Sequence, residues 1–328
     1  MSAPVFRTLD DAAYGEAVPV SPLVRRVIAK NPSKFTYLGT GTYIVGHGDV
    51  VVIDPGPRLD SHRDALAAAL DGERVRAILV THCHSDHSPL SEWLAAETGA
   101  PTFAVGPHEI VDEPEGMFDG EEELAVPKDE SEEAKPADGD DEVKMEESID
   151  TAFDPTVRVA DGEVVFTAAG VTMRAVTTPG HTANHCCFTL DEESALFTGD
   201  HVMGWSTTVV SPPDGSMTAY IDSLRKVAGR ADAMLWPTHG PGRDDGAEYT
   251  AALVAHRLDR ERQVLDFLAE HGPSTVPQIV RVLYAAVDAR LHRPAARSVL
   301  SHLIKLVDEG QVSVADGGPV RIAATFAR

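Results

Sequence analysis

The most informative stretch of this chain is Thr81-His82-Cys83-His84-Ser85-Asp86-His87-Ser88. It has the pattern H-x-H-x-D-H, which is too dense in potential metal ligands for an ordinary turn. Neutral imidazole and carboxylate groups are the ligands that Zn²⁺ binds in proteins. The apolar residues 75–80 before it predict a buried strand. We therefore expect these side chains at a strand end, where rigid structure orients them: His82, His84, Asp86 and His87.

Three later segments each add one potential ligand. They are Thr-Pro-Gly-His-Thr, Thr-Gly-Asp-His and Pro-Thr-His-Gly, and they supply His181, Asp200 and His239. Each follows an apolar stretch and contains Gly or Pro, as expected of a loop that leaves a strand end. Scattered loop histidines would explain one such segment, but they do not explain four in this order. Together the segments provide five histidines and two aspartates, enough for two adjacent metal ions.

This series of motifs resembles the metallo-β-lactamase fold superfamily. The ligands that the resemblance implies for a first metal ion are His82, His84 and His181. Those that it implies for a second ion are Asp86, His87 and His239, with Asp200 bridging both ions. The apolar residues 43–53 are similar to the opening hairpin of this fold, and Asp54 is then a structural residue near the site.

The two parts of the chain have different patterns. Residues 1–246 alternate strands and helices, and the resemblance implies an α/β fold, the αββα sandwich of metallo-β-lactamases. Residues 247–328 are predicted to form three helices followed by a hairpin at about 312–323, which is similar to a winged-helix domain. A metal domain followed by such a module resembles the β-lactamase-like protein 2 family, which includes endoribonucleases.

The net charge of −24 at pH 7 is concentrated in one segment. Residues 109–150 contain 19 Asp and Glu residues and only 3 Lys residues. Because this segment has few large apolar side chains, it cannot offset the entropy of ordering by burial. We predict that about residues 112–150 are a mobile insertion in the metal domain that acts as a solvated spacer. A partner-binding or anion-gating role is the alternative.

A winged helix raises the question of nucleic acid binding. The last predicted helix, at residues 294–309, has polar and cationic residues at intervals of four on one predicted outward face: Arg293, Arg297, Ser301 and Lys305. Such a face could follow a phosphate backbone. Residues 250–328, however, contain 10 Lys and Arg against 8 Asp and Glu, which is a weak positive balance. We therefore prefer packing, dimerisation or pocket formation, and keep RNA and a second copy of the chain as candidate partners.

The cysteines and the lengths of the apolar runs indicate where in the cell the protein is expected. Cys83, Cys186 and Cys187 are too few and too clustered for a disulfide framework, which suits a reducing cytoplasm. No apolar run approaches the ~20 residues that a membrane span requires. The first residues lack the basic and apolar regions of a signal peptide. We predict a cytoplasmic protein with no membrane partner, in which Cys83 points away from the metal ligands.

These features predict a dinuclear zinc hydrolase with two Zn²⁺ per chain, manganese and iron being alternatives for the same donors. A hydroxide that bridges the two ions would be the nucleophile, and Asp86 would orient it. His185 and His201 are expected to support the site. Three side chains near the loop after Asp200 could line an apolar cleft for a small ester, thioester or lactone: Trp205, Met217 and Tyr220.

Two other functions compete with this prediction. One is an endoribonuclease that cleaves single-stranded RNA. The other is an interaction protein in which the winged helix is the active part and the metal site is structural.

Overall fold

The computed structural model describes residues 3–109, 113–124 and 148–328. The strands of the first sheet are β1 (Val18–Pro19), β2 (Val24–Ile28), β3 (Gly41–His47), β4 (Asp49–Ile53), β5 (Arg74–Leu79), β6 (Thr102–Ala104) and β7 (Val157–Arg158). They pair in chain order, antiparallel from β1 to β4 and parallel from β4 to β7. The parallel half places the ends of β4 and β5 at one edge, beside each other.

A second sheet faces the first. Its strands are β8 (Val164–Ala168), β9 (Val171–Thr177), β10 (Cys186–Leu190), β11 (Ala195–Gly199) and β12 (Met234–Pro237). The spatial order is β12-β11-β10-β9-β8, and all pairs are antiparallel except β11 with β12. As a result, β9, β11 and β12 all end at the same edge, so the loops that follow them lie close together.

Helices cover the outer faces of both sheets. The helices on the first sheet are α1 (Asp60–Ala69) and α2 (Leu90–Thr98), and those on the second are α3 (Met217–Ala228) and the first half of α4 (Gly246–His271). The two remaining helices, α5 (Val276–Leu283) and α6 (His292–Asp308), lie in the C-terminal region. The predicted αββα sandwich is confirmed. Because side chains alternate across a strand, β3 sends Tyr43 into the core between the sheets and Ile44 towards α1 and α2. Among the helices described, none has the length and apolar character that spanning a bilayer requires.

The C-terminal region has a core of its own, built by α5, α6 and the second half of α4. The three predicted helices are present, and β13 (Ser313–Val314) pairs with a later strand than predicted, β14 (Phe326–Ala327). The predicted second hairpin strand at residues 320–323 is wrong, because Ile322 is buried and its N–H donates to Met117 O at 2.9 Å.

Helix α4 belongs to two cores at once. Tyr249 and Leu253 in its first half pack with α3 on the second sheet. Val264 and Phe267 in its second half pack in the C-terminal core. A helix shared in this way connects the two regions through both of their cores. The predicted domain boundary between residues 246 and 247 stays a prediction.

Part of the acidic insertion is packed. Met117 and Leu124 are buried in the C-terminal core, and the Glu121 carboxylate accepts a hydrogen bond from Arg297 Nε at 2.8 Å. Residues 113–124 are therefore packed on the C-terminal core and are not the solvated spacer that we predicted, while the mobility of the insertion stays a prediction. Residue 112 and residues 125–147 lie outside the described residues.

We expect Met117→Ala to lower the free energy of unfolding of the C-terminal region by about 2–4 kcal/mol, because it leaves a cavity in a packed core. Urea unfolding followed by far-ultraviolet circular dichroism measures this change. Glu115→Ala, at an exposed position two residues away, is the matched control and should leave stability within about 0.5 kcal/mol. Equal stability of the two variants would show that the segment does not contribute to the core.

Candidate metal centre

Loops at the ends of four strands bring all seven predicted ligands together. The H-x-H-x-D-H segment follows β5, while His181, Asp200 and His239 follow β9, β11 and β12. Three groups have ligand atoms close enough to share a metal ion: His82, His84 and His181; His82, His87 and Asp200; Asp86, His87 and His239. The first and third of these are the two triads that the sequence predicts.

The first triad consists of three imidazoles. His84 Nδ1 lies 2.9 Å from His82 Nε2 and 3.1 Å from His181 Nε2. Adjacent ligands of a tetrahedral zinc ion with Zn–N bonds of about 2.0–2.1 Å lie roughly 3.4 Å apart, so only a small outward shift is needed. In two of these rings the other nitrogen has a hydrogen-bond partner. His181 Nδ1 lies 2.7 Å from Val209 O, and His82 Nδ1 lies 3.1 Å from Thr81 Oγ1.

The second triad combines a carboxylate with two imidazoles. Asp86 Oδ2 lies 3.3 Å from both His87 Nε2 and His239 Nε2. The outward nitrogens again have partners, His87 Nδ1 at 2.9 Å from Asp54 Oδ2 and His239 Nδ1 at 3.2 Å from Gly39 O. These contacts aim both Nε2 atoms into the centre, which is how protein groups orient metal-binding histidines.

Asp200 lies between the two triads. Its Oδ1 is 3.3 Å from His239 Nε2 and 3.6 Å from His87 Nε2, while its Oδ2 is 3.9 Å from His181 Nε2. The two oxygens of one carboxylate thus face different triads. This arrangement suits the bridging role that the resemblance implies.

The chemistry of the cluster fits metal ions. His87 Nε2 and Asp200 Oδ1 are buried and have no hydrogen-bond partner in the described part of the chain. Burial, reinforced by His181, lowers the pKa of His84 to about 3, so this ring is in the neutral form that binds metals. Burial opposes a proton on His239, but Asp200 and Asp86 raise its pKa to about 10. The carboxylates therefore attract positive charge into a buried site, and the cluster can bind metal ions.

Asp54 holds the H-x-H-x-D-H loop in place. Its carboxylate accepts hydrogen bonds from Thr81 N and Thr81 Oγ1, both at 2.8 Å, and from Thr238 Oγ1 at 3.2 Å, besides its contact with His87. Its backbone has φ 47, a left-handed conformation that Asp and Asn tolerate better than most residues. Asp54 is structural, as the resemblance implied, and its partners could not be read from the sequence.

His185 supports Asp200 from behind. Its Nε2 accepts the Asp200 N–H at 3.2 Å, which leaves Nδ1 to donate to Thr178 Oγ1 at 2.8 Å. His201 is buried nearby, and burial lowers its pKa to about 3. Neither histidine joins the three metal-binding groups found among the described residues.

Two glycines allow the ligand loops to approach their neighbours. Gly180, beside His181, has φ +140, and a Cβ atom there would lie 2.3 Å from Tyr220 Cα. Gly199, beside Asp200, has φ +51, and a Cβ there would lie 2.7 Å from His185 Nε2. Only glycine fits both the backbone angle and the space.

Other side chains near the cluster divide into those predicted and those missed. Cys83 points away from the ligands, since its Sγ accepts a hydrogen bond from Asn184 Nδ2 at 3.0 Å. Thr40 has no sequence signal, yet its Oγ1 donates to Asp86 Oδ2 at 2.8 Å.

Met217 and Tyr220 are buried among helices and do not line the cleft, so that prediction is wrong for both. The reason is that both face inward from α3 on its apolar side.

The cluster opens into a cavity of about 610 Å³ between the two regions of the chain. Five of the predicted ligands form part of its wall: His84, Asp86, His181, Asp200 and His239. Trp205, predicted to line a cleft, does so, together with Phe6 and Phe35. The opposite wall comes from α4, α6 and the α5–α6 connection, which the sequence did not place near the metal centre.

The predicted cationic face of α6 is mostly buried. Ser301 and Lys305 are buried, and Lys305 Nζ lies 2.9 Å from Glu261 of α4 and 2.8 Å from Glu309. Arg297 pairs with Glu121, so only Arg293 of the four is exposed. The exposure expected of this face is wrong, because α6 packs against α4 and against residues 113–124. Packing and pocket formation, which we preferred to nucleic acid contact for this helix, agree with these contacts.

Comparison with known proteins agrees with this fold. Residues 37–239 match the family model described as the metallo-β-lactamase superfamily, and residues 275–318 match the β-lactamase-associated winged helix domain. The chain belongs to the metallo-β-lactamase superfamily, with an associated C-terminal winged helix.

Two curated relatives span nearly the whole chain. A β-lactamase-like protein 2 homolog from Caenorhabditis elegans is 29% identical over 297 residues, covering 89% of this chain and 87% of the relative. The atrochrysone carboxyl ACP thioesterase of Aspergillus chevalieri is 31% identical over 314 residues, covering 92% and 86%.

Two solved structures share the fold. A β-lactamase domain protein from Burkholderia ambifaria has a TM-score of 0.71 at 24% identity, with 96% of this chain and 94% of that chain covered. A metallo-β-lactamase family protein from Thermus thermophilus has a TM-score of 0.68 at 24% identity, with 94% and 100% covered.

Proposed function

We propose that this protein is a dinuclear zinc hydrolase that cleaves thioesters or related small esters. The observation that supports this most directly is the seven-ligand cluster in the wall of a cavity of about 610 Å³. Structural zinc sites are closed by four protein ligands, whereas catalytic sites keep a position open to substrate. The open cluster therefore favours an enzyme over an interaction protein with a structural metal.

The ligand assignment follows the two triads. One zinc would be held by His82, His84 and His181. The other would be held by Asp86, His87 and His239, with Asp200 shared between them. When bound, zinc lowers the pKa of a water ligand to about 7 and polarises a carbonyl oxygen.

Asp86 is the residue we assign to orienting the attacking water. The Thr40 hydroxyl and the imidazoles of His87 and His239 surround its Oδ2, so the carboxylate has one defined orientation. A carboxylate held in this way can accept a hydrogen bond from the nucleophile and direct its lone pair towards the carbonyl carbon.

Thioesters are the preferred substrate class for two reasons. Relatives that match over most of the chain are named atrochrysone carboxyl ACP thioesterases, one of them 31% identical. The cavity has a largely apolar and aromatic side formed by Phe6, Phe35 and Trp205, which suits the acyl group of such a substrate.

RNA cleavage is the alternative, and the structure weakens its main argument. The face of α6 that was expected to hold phosphates is mostly buried or paired with carboxylates. A substrate screen with zinc-loaded protein separates the candidates. We expect hydrolysis of a neutral acyl thioester or a nitrophenyl ester, abolished by chelation and restored by zinc, and no cleavage of single-stranded RNA.

The same screen includes lactones as a third substrate. Cleavage of RNA alone would contradict the proposal in favour of an endoribonuclease. Full zinc content without hydrolysis of any of these substrates would favour the interaction protein.

A further inference from the structure

The cavity wall opposite the metal centre is cationic in an otherwise acidic protein. Outside the metal cluster, its charged side chains are Lys34, Arg257, Arg260 and Arg297 against Glu113 and Asp214. Because Arg297 is paired with Glu121, the cations that remain are Lys34, Arg257 and Arg260, against the two carboxylates Glu113 and Asp214. The whole chain has a net charge of −24, so this local excess of positive charge is opposite in sign to its surroundings. A field of that kind favours anions inside the cavity.

Two of these cations lie on one face of α4. Arg257 and Arg260 are three residues apart, so their side chains are neighbours on the helix. Arg260 donates to Gln263 Oε1 at 2.8 Å, and its guanidinium lies 4.8 Å from the ring centre of Tyr284. Asp259, the carboxylate next to it in sequence, is paired with Arg262 instead.

Arg257 is only 5% exposed and forms no ion pair with a carboxylate of the described residues. It donates a hydrogen bond to Thr208 O, and its guanidinium lies 5.3 Å from the ring centre of Tyr220. A guanidinium has five N–H donors, so donors remain for a ligand. Burying a cation without a counter-charge is costly, and an anion in the cavity would remove that cost.

Thr208 connects this cationic wall to the metal centre. Its carbonyl accepts the bond from Arg257, and its hydroxyl donates to Asp200 O at 2.6 Å. Both arginines and both carboxylates of the metal cluster line the same cavity. A substrate could therefore place its ester at the metal centre and an anionic group at the arginines at the same time.

We infer that Arg257 and Arg260 form an anion subsite, and that the preferred substrate is an acyl thioester or ester bearing a carboxylate or phosphate group. This inference rests on the proposed hydrolase function and names the substrate class of that same site. Guanidinium groups bind both anions through paired hydrogen bonds, so the two sources share one chemistry. The carboxylate would lie on the acyl side of the substrate, whereas phosphate would lie on the thiol side.

Matched thioesters test this inference. The neutral reference is acetyl-N-acetylcysteamine, the carboxylate probe is glutaryl-N-acetylcysteamine, and the phosphate probe is acetyl-coenzyme A. We expect kcat/KM to be at least about tenfold higher for one anionic probe than for the neutral reference, and the preferred probe identifies the source of the anion. Arg260→Gln should bring this ratio down towards one, a loss of about tenfold or more, mainly through KM, because charge-assisted hydrogen bonds are lost.

Arg262→Gln is the matched control, because Arg262 lies on the same helix with 68% of its side chain exposed and pairs with Asp259. It should keep the wild-type ratio. Thermal unfolding of both variants checks that each is folded. A further variant, Arg257→Lys, keeps the positive charge but not the paired hydrogen-bond donors, so it should lower the ratio of kcat/KM values only partially. No charge preference in the unmodified protein, or a preference that Arg260→Gln leaves intact, would overturn the inference.

Calorimetry with non-hydrolysable thioether analogues of the three probes separates this inference from the proposed function. If anionic analogues bind more tightly and Arg260→Gln removes the difference, the subsite stands even where no thioester is hydrolysed. If neutral and anionic thioesters are hydrolysed equally, the hydrolase stands and the subsite is wrong. A third outcome would assign these arginines to nucleic acid binding. In that case the protein cleaves single-stranded RNA, Arg260→Gln slows this cleavage, and the neutral and anionic analogues bind equally well.

Discussion

Replacing Asp200 with alanine is expected to reduce the metal content from about two ions per chain to one or fewer and to lower kcat/KM about a thousandfold or more. Its two carboxylate oxygens face different triads, so one substitution weakens both positions. A metal ion contributes several kcal/mol to stabilising the transition state, and each ~1.36 kcal/mol is a factor of ten in rate. Elemental analysis together with thioester hydrolysis measures both effects.

The control for this experiment is His47→Ala, which removes an exposed histidine on β3 whose Nε2 lies 3.0 Å from Pro22 O. It should leave metal content and rate unchanged. A parallel His82→Ala variant tests the first triad separately. One iron per chain, retained when His84 or His87 is removed, would be incompatible with the dinuclear zinc centre that we propose.

Replacing Asp54 with alanine is expected to lower the free energy of unfolding by about 3–5 kcal/mol and metal affinity by about 10- to 100-fold. The carboxylate is 1% exposed and accepts hydrogen bonds from Thr81, Thr238 and His87, which would be left without a buried partner. Alanine also tolerates the left-handed backbone at this position poorly. Chemical unfolding and a competitive zinc titration provide the two measurements.

Asp54→Asn separates support of the fold from orientation of the ligand. Asparagine tolerates the same backbone and keeps one oxygen for Thr81 N, so we expect most of the stability to return. Its amide NH₂ cannot accept the proton of His87 Nδ1, so metal affinity should stay low. Asp60→Ala, with a side chain that is 88% exposed, is the stability control. Recovery of metal affinity in Asp54→Asn would show that the contact with His87 does not orient the ligand.

The αββα sandwich could be predicted because its evidence lies in short segments. Potential ligands at fixed spacing, each after an apolar run, indicate loops at strand ends, and the order of the motifs carries the resemblance that implied this fold. The C-terminal helices were predicted from the spacing of their apolar residues, and the observed α6 (His292–Asp308) differs from the prediction by one or two residues at each end.

Exposure was predicted less well than secondary structure. The spacing of four residues correctly placed Arg297, Ser301 and Lys305 on one face of α6, but that face is covered by α4 and by residues 113–124. Local composition also failed for the acidic insertion, because Met117 and Leu124 gain their packing partners from distant parts of the sequence, in helices α4 to α6.

The sequence by itself identified the candidate metal site, because the seven predicted ligands are residue types with few other reasons to recur in those motifs. Only the tertiary structure decided what surrounds them. The contact of Asp54 with His87 joins the loops that follow two different strands, and the cavity joins the metal loops to Arg257 and Arg260 of a helix near the other end of the chain. Such contacts depend on how sheets and helices pack in space, and no local pattern in the sequence encodes them.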